Sequence, residues 1–400
     1  MSGERELPLT TVVVLNWNGR RHLEAGLPAL DALDFPRDRL EILVADNGST
    51  DDSVEWLARA HPSARVLRFD RNLGYARAMN AAVRAAEGEF VAFLNNDARA
   101  ERGWLRHLVR PILEGAADAT ASKIRSFDGS RVHFARGGSN FHGIAFQWGM
   151  DEPEREEFSR SFQSLFPCGA AMALRKSLFL DVGGFDEDFF AYYEDVDLGW
   201  RLNVMGFKVL TAPDSIVYHH HSATATRVPI HRLRVFHIRN PLRMIVKNMG
   251  DDALARILPA ALLLTARRTA SFARLDRADF DVNAPVAAQD GKPSGGVLSR
   301  LFSGAGRTGD AALPKAGPYE QMPFPKVAVA DLLAVNDLLE GWDGLWSARS
   351  DVQSRRRRDD RDILPLFVDP FRPAEPDPAY RSLQSRLVDA FRIRELFAER

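Results

Sequence analysis

The chain has 400 residues, 45% of them hydrophobic, enough for two or three domains or for one large domain with appendages. Its net charge of −1 sets up no global field to recruit nucleic acid, and its single cysteine, Cys168, excludes an internal disulfide and points to a reducing, cytoplasmic setting. "MSGERELPLT" carries no apolar secretory stretch, and the longest apolar run, 257–265, holds a proline and falls short of the ~20 residues a spanning helix needs.

Four apolar runs, 11–16, 41–47, 64–69 and 89–97, are predicted as buried strands. Helices are predicted between them, over about 20–33, 52–60 and 75–86, with Ser49 and Thr50 as candidate caps of the second. This alternation implies an α/β fold, a Rossmann-like, mostly parallel sheet flanked by helices. Such sheets bind ligands at the carboxyl ends of their strands, where Asn16, Asn18, Asp46, Asn47, Asn95, Asn96 and Asp97 fall. Residues 127–166 read as a flexible excursion. A strand, a helix, an acidic segment on a helix and a last strand ending in histidines follow. The expected organisation is a catalytic domain over 8–228, a basic helical segment over 229–278, a flexible linker or insert over 279–325 and a helical C-terminal extension over 326–400.

"LNWNGR" stands where a dinucleotide fingerprint would follow the first strand, and no Walker loop is present, which argues against hydride transfer and P-loop chemistry. Asp46 follows buried sheet; it is either part of a turn and helix cap or an acceptor for a ligand N–H such as a pyrimidine imide. Strand alternation puts Asn95 and Asp97 on one face, so Asp97 is placed to bind a hard divalent cation shared with phosphates; the alternative is an ordinary polar strand end. "VYHHHSA" places His219 and His221 on one face. With one thiol and no H-E-x-x-H spacing, zinc is disfavoured over one imidazole joining Asp97 on Mg²⁺ or Mn²⁺.

"AYYEDVDLGWRL" crowds Glu194, Asp195 and Asp197 behind Phe189, Phe190, Tyr192 and Tyr193. Asp197 and Arg201, four apart, are expected to pair. Glu194 and Asp195 suit a helix start, as a capping cluster or as a carboxylate raised toward a general base's range by aromatic walls. The basic, apolar stretch 231–249 suits either an anionic lipid surface or a helix packed on the core. Arg355 to Arg358, followed by Asp359 and Asp360, read as a solvated, self-paired helix.

Taken in order, "VVVLNWNG", "VADNGSTDDS", "DRNLGYARAMN", "FLNNDA", "GGFDEDFFAYYEDVDLGWRLNVMGF" and "VYHHHSA" resemble the family-2 glycosyltransferases of GT-A fold, in particular the bacterial rhamnosyltransferase-like branch, over about 9–248. The resemblance implies that Asp46 reads the donor nucleobase and that Asp97 is the last carboxylate of the D-x-D metal motif, with Asn95 in place of the first. It implies that Asp195 is the base, with Glu194 as the alternative, and that His219 approaches metal or diphosphate. Asn72, Gly74 and Asn80 would line the donor pocket, with Asn16, Asn18, Asn47, Asn96 and Gly169 completing the donor-contacting set. The implied activity is inverting, metal-dependent transfer (Mg²⁺ or Mn²⁺) of a sugar, with rhamnose as the subfamily's suggestion. The donor would be a nucleotide diphospho-sugar and the acceptor a glycan or lipid-linked molecule, in bacterial cell-surface polysaccharide synthesis. The expected place is the cytoplasm, at the inner face of the plasma membrane through peripheral contact, without nucleic acid. A sugar nucleotidyltransferase and a non-catalytic sugar-nucleotide scaffold are the rival readings.

Overall fold

The computed structural model describes residues 7–220, 228–274 and 324–398. The four apolar runs form β1 (Thr10–Asn16), β2 (Leu40–Asp46), β3 (Arg65–Arg68) and β4 (Phe90–Asn95), separated by α1 (Arg20–Asp31), α2 (Ser53–Ala60) and α3 (Tyr75–Ala85). They lie parallel in the order β3-β2-β1-β4. Alternation along β1 sends Val13 to one face with Leu43 and Phe93, and Val12 and Val14 to the other with Ile42, Val44 and Leu94. Both faces are apolar and both are covered by helices, as a parallel sheet requires.

The chain continues through β5 (Ala98–Ala100), α4 (Trp104–Leu113) and β6 (Ala119–Ser126). Residues 127–166, expected to be flexible, instead build β7 (Val132–Phe134) and a hairpin of β8 (Arg136–Ser139) and β9 (Ala145–Trp148). Phe134, Phe141, Phe158 and Phe166 are buried there. Their spacing follows neither helical nor strand periodicity, so the sequence pattern concealed a packed segment.

β10 (Ala171–Arg175) then runs antiparallel between β4 and β6. α5 (Lys176–Asp181) and α6 (Glu194–Val204) lead to β11 (Val209–His219), which is parallel to β6 and pairs β5 at the sheet edge. The remaining helices include α7 (Ile230–Asn248), α8 (Asp251–Ala273), α9 (Lys326–Glu340) and α10 (Trp342–Ser354). Ile238, Leu242 and Ile245 of α7 share one hydrophobic core with Phe189, Leu198 and Trp200 around α6 and with Ala334 and Leu338 of α9. The expected linker, 279–325, lies outside the described residues as far as 323.

The charges of α7 are directed inward. Arg234 forms a two-point pair with buried Asp331, Arg243 pairs with Asp188, and Lys247 reaches Asp186 at 2.5 Å and Asp197 at 2.9 Å. The helix therefore packs on the core, and a basic face lying along lipid over its whole length is ruled out. Ile230, Arg232 and His237, in its first half, stay exposed. Among the described residues, no helix is long and apolar enough to cross a membrane.

Candidate active site

Parallel register aligns Asn16 with Asp46 and Leu15 with Asn95, so the polar strand ends meet along one sheet edge. Asn16 Nδ2 donates to Asp46 Oδ1 at 3.1 Å and to Ser49 Oγ at 3.1 Å, while Asn96 Nδ2 donates to Asn16 Oδ1 at 3.3 Å. The Ser49 amide donates to Asp46 Oδ2 at 3.2 Å. Asp46 is thus completely buried with both oxygens engaged. Its carboxylate accepts from within the protein and organises the turn. Ser49 and Thr50 are not caps. Ser49 Oγ accepts from the Asn18 amide at 2.9 Å, Asn18 Oδ1 accepts from the Thr50 amide at 2.7 Å, and Asp51 Oδ1 accepts from the Ser53 amide at 3.2 Å.

Asn47 ties this turn to the next loop. Its Oδ1 accepts from the Leu73 amide at 2.8 Å, and its Nδ2 donates to Asn72 Oδ1 at 3.0 Å and to the Gly74 carbonyl at 3.2 Å. Gly74 has φ +83°, and a Cβ there would stand 2.6 Å from the Phe190 ring, so only glycine fits. Asn80, expected in the donor pocket, bonds the Phe185 backbone. Its Nδ2 donates to the Phe185 carbonyl at 2.8 Å and its Oδ1 accepts from the Phe185 amide at 2.9 Å.

At the far end of the edge, His219 Nε2 lies 3.0 Å from Asp97 Oδ1 and 3.3 Å from Asn95 Nδ2. The three expected residues therefore converge. Burial opposes the Asp97 charge, but hydrogen bonding to His219 and that ring's charge outweigh it and lower the carboxyl pKa. Among the described residues, no cluster of three or more acidic, His or Cys side chains could enclose a metal. An ionised carboxylate beside an imidazole nevertheless fits a divalent cation whose remaining ligands come from diphosphate and water. Sequence reasoning missed the neighbours of this pair. His220 stacks on Phe127 at 3.6 Å, and the His220 and His22 ring centres are 6.1 Å apart. His221 lies outside the described residues.

The acidic helix start stands on the other side of Gly169. The Gly169 amide donates to Asp195 Oδ2 at 2.7 Å, and the Val196 amide to Asp195 Oδ1 at 2.8 Å. Asp195 is half-buried, while Glu194 is buried and its Oε2 has no hydrogen-bond partner. Burial, reinforced by the charge of Asp195, pushes the Glu194 carboxyl up to about 8; burial also raises Asp195. Tyr75 was not singled out from the sequence, although it follows Gly74 in a motif already noted. Its hydroxyl donates to the Gly169 carbonyl at 3.3 Å. Burial and the Glu194 and Asp195 charges hold that phenol protonated. Asp197 does pair with Arg201, at 2.8 Å, and also receives Lys247 at 2.9 Å and Asn248 Nδ2 at 3.0 Å, a buried structural network.

The segment around Gly169 links the two halves. The Asn95 amide donates to the Ala170 carbonyl at 3.0 Å, so one short stretch touches both the Asp97 strand end and Asp195. Comparison with known proteins adds to this geometry. The family described as Glycosyl transferase family 2 matches residues 11–183. The N-acetylglucosaminyl-diphospho-decaprenol L-rhamnosyltransferase of Mycobacterium tuberculosis is 31% identical over 257 residues, 56% of this chain and 80% of that protein. The chain belongs to glycosyltransferase family 2. A second likeness is to the pre-mycofactocin glycosyltransferase of M. tuberculosis, 31% identical over 227 residues, 55% of this chain and 44% of that one. A crystal structure of GalNAc-T7 with UDP, GalNAc and Mn²⁺ superposes with a TM-score of 0.52 at 16% identity, over 69% of this chain. This chain spans about half of GalNAc-T7, 54% of its length, and the likeness shows the shared GT-A fold. The family match ends before residue 189, so α6 and α7 lie beyond it.

Proposed function

We propose that this family-2 glycosyltransferase moves a sugar from a nucleotide diphospho-sugar to a hydroxyl of a glycan or lipid-linked acceptor, with inversion, in cell-envelope synthesis. The observation that carries this reading is the bridge at residues 169–170, which bonds both the half-buried Asp195 carboxylate and the end of β4, where Asn95 leads to Asp97 and its partner His219.

In this reading the donor lies across the carboxyl edge of the sheet, along Asn72, Gly74, Asn95 and Asn96. Asp97 and His219 would hold Mg²⁺ or Mn²⁺, which when bound offsets negative charge on a diphosphate. Asp195 takes the proton from the acceptor hydroxyl, and the oxygen attacks the anomeric carbon opposite the leaving diphosphate, so one displacement inverts the centre. Two features favour Asp195 over Glu194 as base. Asp195 is reachable from solvent, and two N–H groups support its charge. Glu194 is buried without a partner for its Oε2, and burial raises its carboxyl well above the usual range. A positioned base is worth ~10²–10⁴-fold in rate.

The rhamnosyltransferase relative supports rhamnose as the sugar and a diphospho-polyprenol-linked glycan as the acceptor. The inward pairing of α7 leaves any lipid contact of this helix to its first half, around Ile230, Arg232 and His237.

The test is nucleoside diphosphate release from a panel of UDP-, dTDP- and GDP-sugars with Mn²⁺ or Mg²⁺, with Asp97→Ala alongside. Release from one donor, lost in Asp97→Ala, is the expected result. No release, together with no metal-dependent binding of any donor, would overturn the catalytic reading in favour of a scaffold.

A further inference from the structure

Glu194 and Asp195 emerge from an unusual turn. Phe190, Tyr192 and Tyr193 have φ of 62°, 68° and 71°, three non-glycine residues in the left-handed region within four positions. Residues of this kind persist only where their surroundings over-determine them, and they gather at functional sites. Within the turn the Phe189 carbonyl accepts from the Ala191 amide at 2.7 Å; the other carbonyls need donors from elsewhere.

They come from two helices. Tyr75 and Ala76, at the start of α3, donate their amides to the Phe190 carbonyl at 2.6 and 3.3 Å. The other carbonyls are taken by α7. Arg239 Nη2 donates to the Asp188 carbonyl at 2.9 Å. Asn240 Nδ2 faces three: Tyr192 at 2.8 Å, Ala191 at 3.1 Å and Phe189 at 3.3 Å. Asn240 is wholly buried. Immediately after the turn, the Asp197 amide bonds the Tyr193 carbonyl at 2.9 Å and α6 begins. The direction in which α6 leaves the turn therefore sets where Asp195 meets the Gly169 amide.

We propose that Asn240 is a positioning residue for the transfer reaction: one buried side-chain amide on α7 holds the left-handed turn that aims Asp195. This rests on the reading of Asp195 as the base. It places a determinant of catalysis 57 residues beyond the end of the family match, on a helix whose basic character suggested a different use. An amide is suited to the place. It directs two hydrogens at three carbonyls; the Phe189 carbonyl also accepts from the Ala191 amide, but an apolar residue of similar size would take this donor from the Ala191 and Tyr192 carbonyls. The Tyr75 side of the clamp belongs to the loop that Asn47 fastens to the nucleotide edge, so the turn is gripped from the donor side and from the core at once.

The experiment compares Asn240→Ala, the isosteric Asn240→Asp and Asp195→Asn with the wild-type protein. Four quantities are read: kcat and KM for the donor that wild type turns over, the pH dependence of kcat, and the melting temperature. Asn240→Ala is expected to keep the donor KM within about 3-fold while kcat falls on the order of 10²-fold, the scale of a ~1 Å misplacement. The acid limb of its pH profile should move up, because loss of the Gly169 bond removes a contact that favours the Asp195 carboxylate. Asn240→Asp, which turns a carboxylate toward three carbonyls, should lose at least as much. Unchanged kcat and pH profile in both variants would overturn the proposal. So would parallel loss of melting temperature and donor binding, which would mark Asn240 as a fold determinant only. A fully active Asp195→Asn would overturn the underlying reading instead, whatever the Asn240 variants do.

Discussion

The Gly169 amide donates to Asp195 Oδ2 at 2.7 Å, joining residues 26 positions apart across the line between the sheet edge and α6. A Cβ at residue 169 would stand 3.2 Å from both Cβ and Oδ2 of Asp195, so the carboxylate would have to yield by a few tenths of an ångström. Gly169→Ala should therefore lower kcat by roughly 10-fold while leaving nucleoside diphosphate affinity unchanged, since misplacement acts on the reacting geometry. Steady-state kinetics with calorimetric binding separates the two effects. An equal loss of both would move Gly169 from base support to donor contact.

The paired carboxylates divide their roles by environment, and amide substitution distinguishes them. Asp195→Asn should reduce transfer on the order of 10²–10⁴-fold. Glu194→Gln imitates the protonated form that burial favours and should stay within about 10-fold of wild type near neutral pH. Rates of nucleoside diphosphate release check both variants, and the reverse ranking would make Glu194 the base.

Glu194 also makes stability depend on pH. Its unfolded value is ~4.3, and burial beside the Asp195 charge raises it to about 8 in the fold. The folded state holds this proton more tightly, so the stabilisation is complete below the unfolded value and is lost as pH rises toward the folded one. Glu194→Gln should therefore raise the melting temperature at about pH 9, by an amount equivalent to ~1–3 kcal/mol, and make little difference near pH 4. Thermal melts at the two pH values decide this. A difference independent of pH would clear Glu194 as the titrating group.

Beneath the site, Asp197 is fully buried between Arg201, Lys247 and Asn248. Removing the carboxylate leaves buried Arg201 without an anionic partner and Lys247 with Asp186 alone. Asp197→Ala should destabilise the fold by ~3–5 kcal/mol, read from denaturant midpoints, and more than any of the active-site substitutions above. A loss below about 1 kcal/mol would mean that water reaches the network.

The sequence showed the strand ends well and their internal bookkeeping poorly. Asn95, Asp97 and His219 were expected together and stand together. Asn80 and Asp46 were expected to face the donor; in the fold Asn80 bonds the Phe185 backbone and Asp46 bonds the Asn16–Ser49 turn, partners the sequence did not show. A polar residue at a strand end looks the same in sequence whether its partner is a ligand or another loop. Residues 127–166 were misread for a related reason: Phe134, Phe141, Phe158 and Phe166 are core residues without a period.

By itself the sequence determined the parallel sheet, the polar carboxyl edge and the acidic helix start, because alternation, helical spacing and turn chemistry are encoded within a few neighbouring residues. Only the tertiary structure decided that both adjacent carboxyls are raised and how the turn before them is held. Those outcomes depend on burial and on donors such as Asn240, 48 positions from the Tyr192 carbonyl it meets, and no local pattern carries that distance.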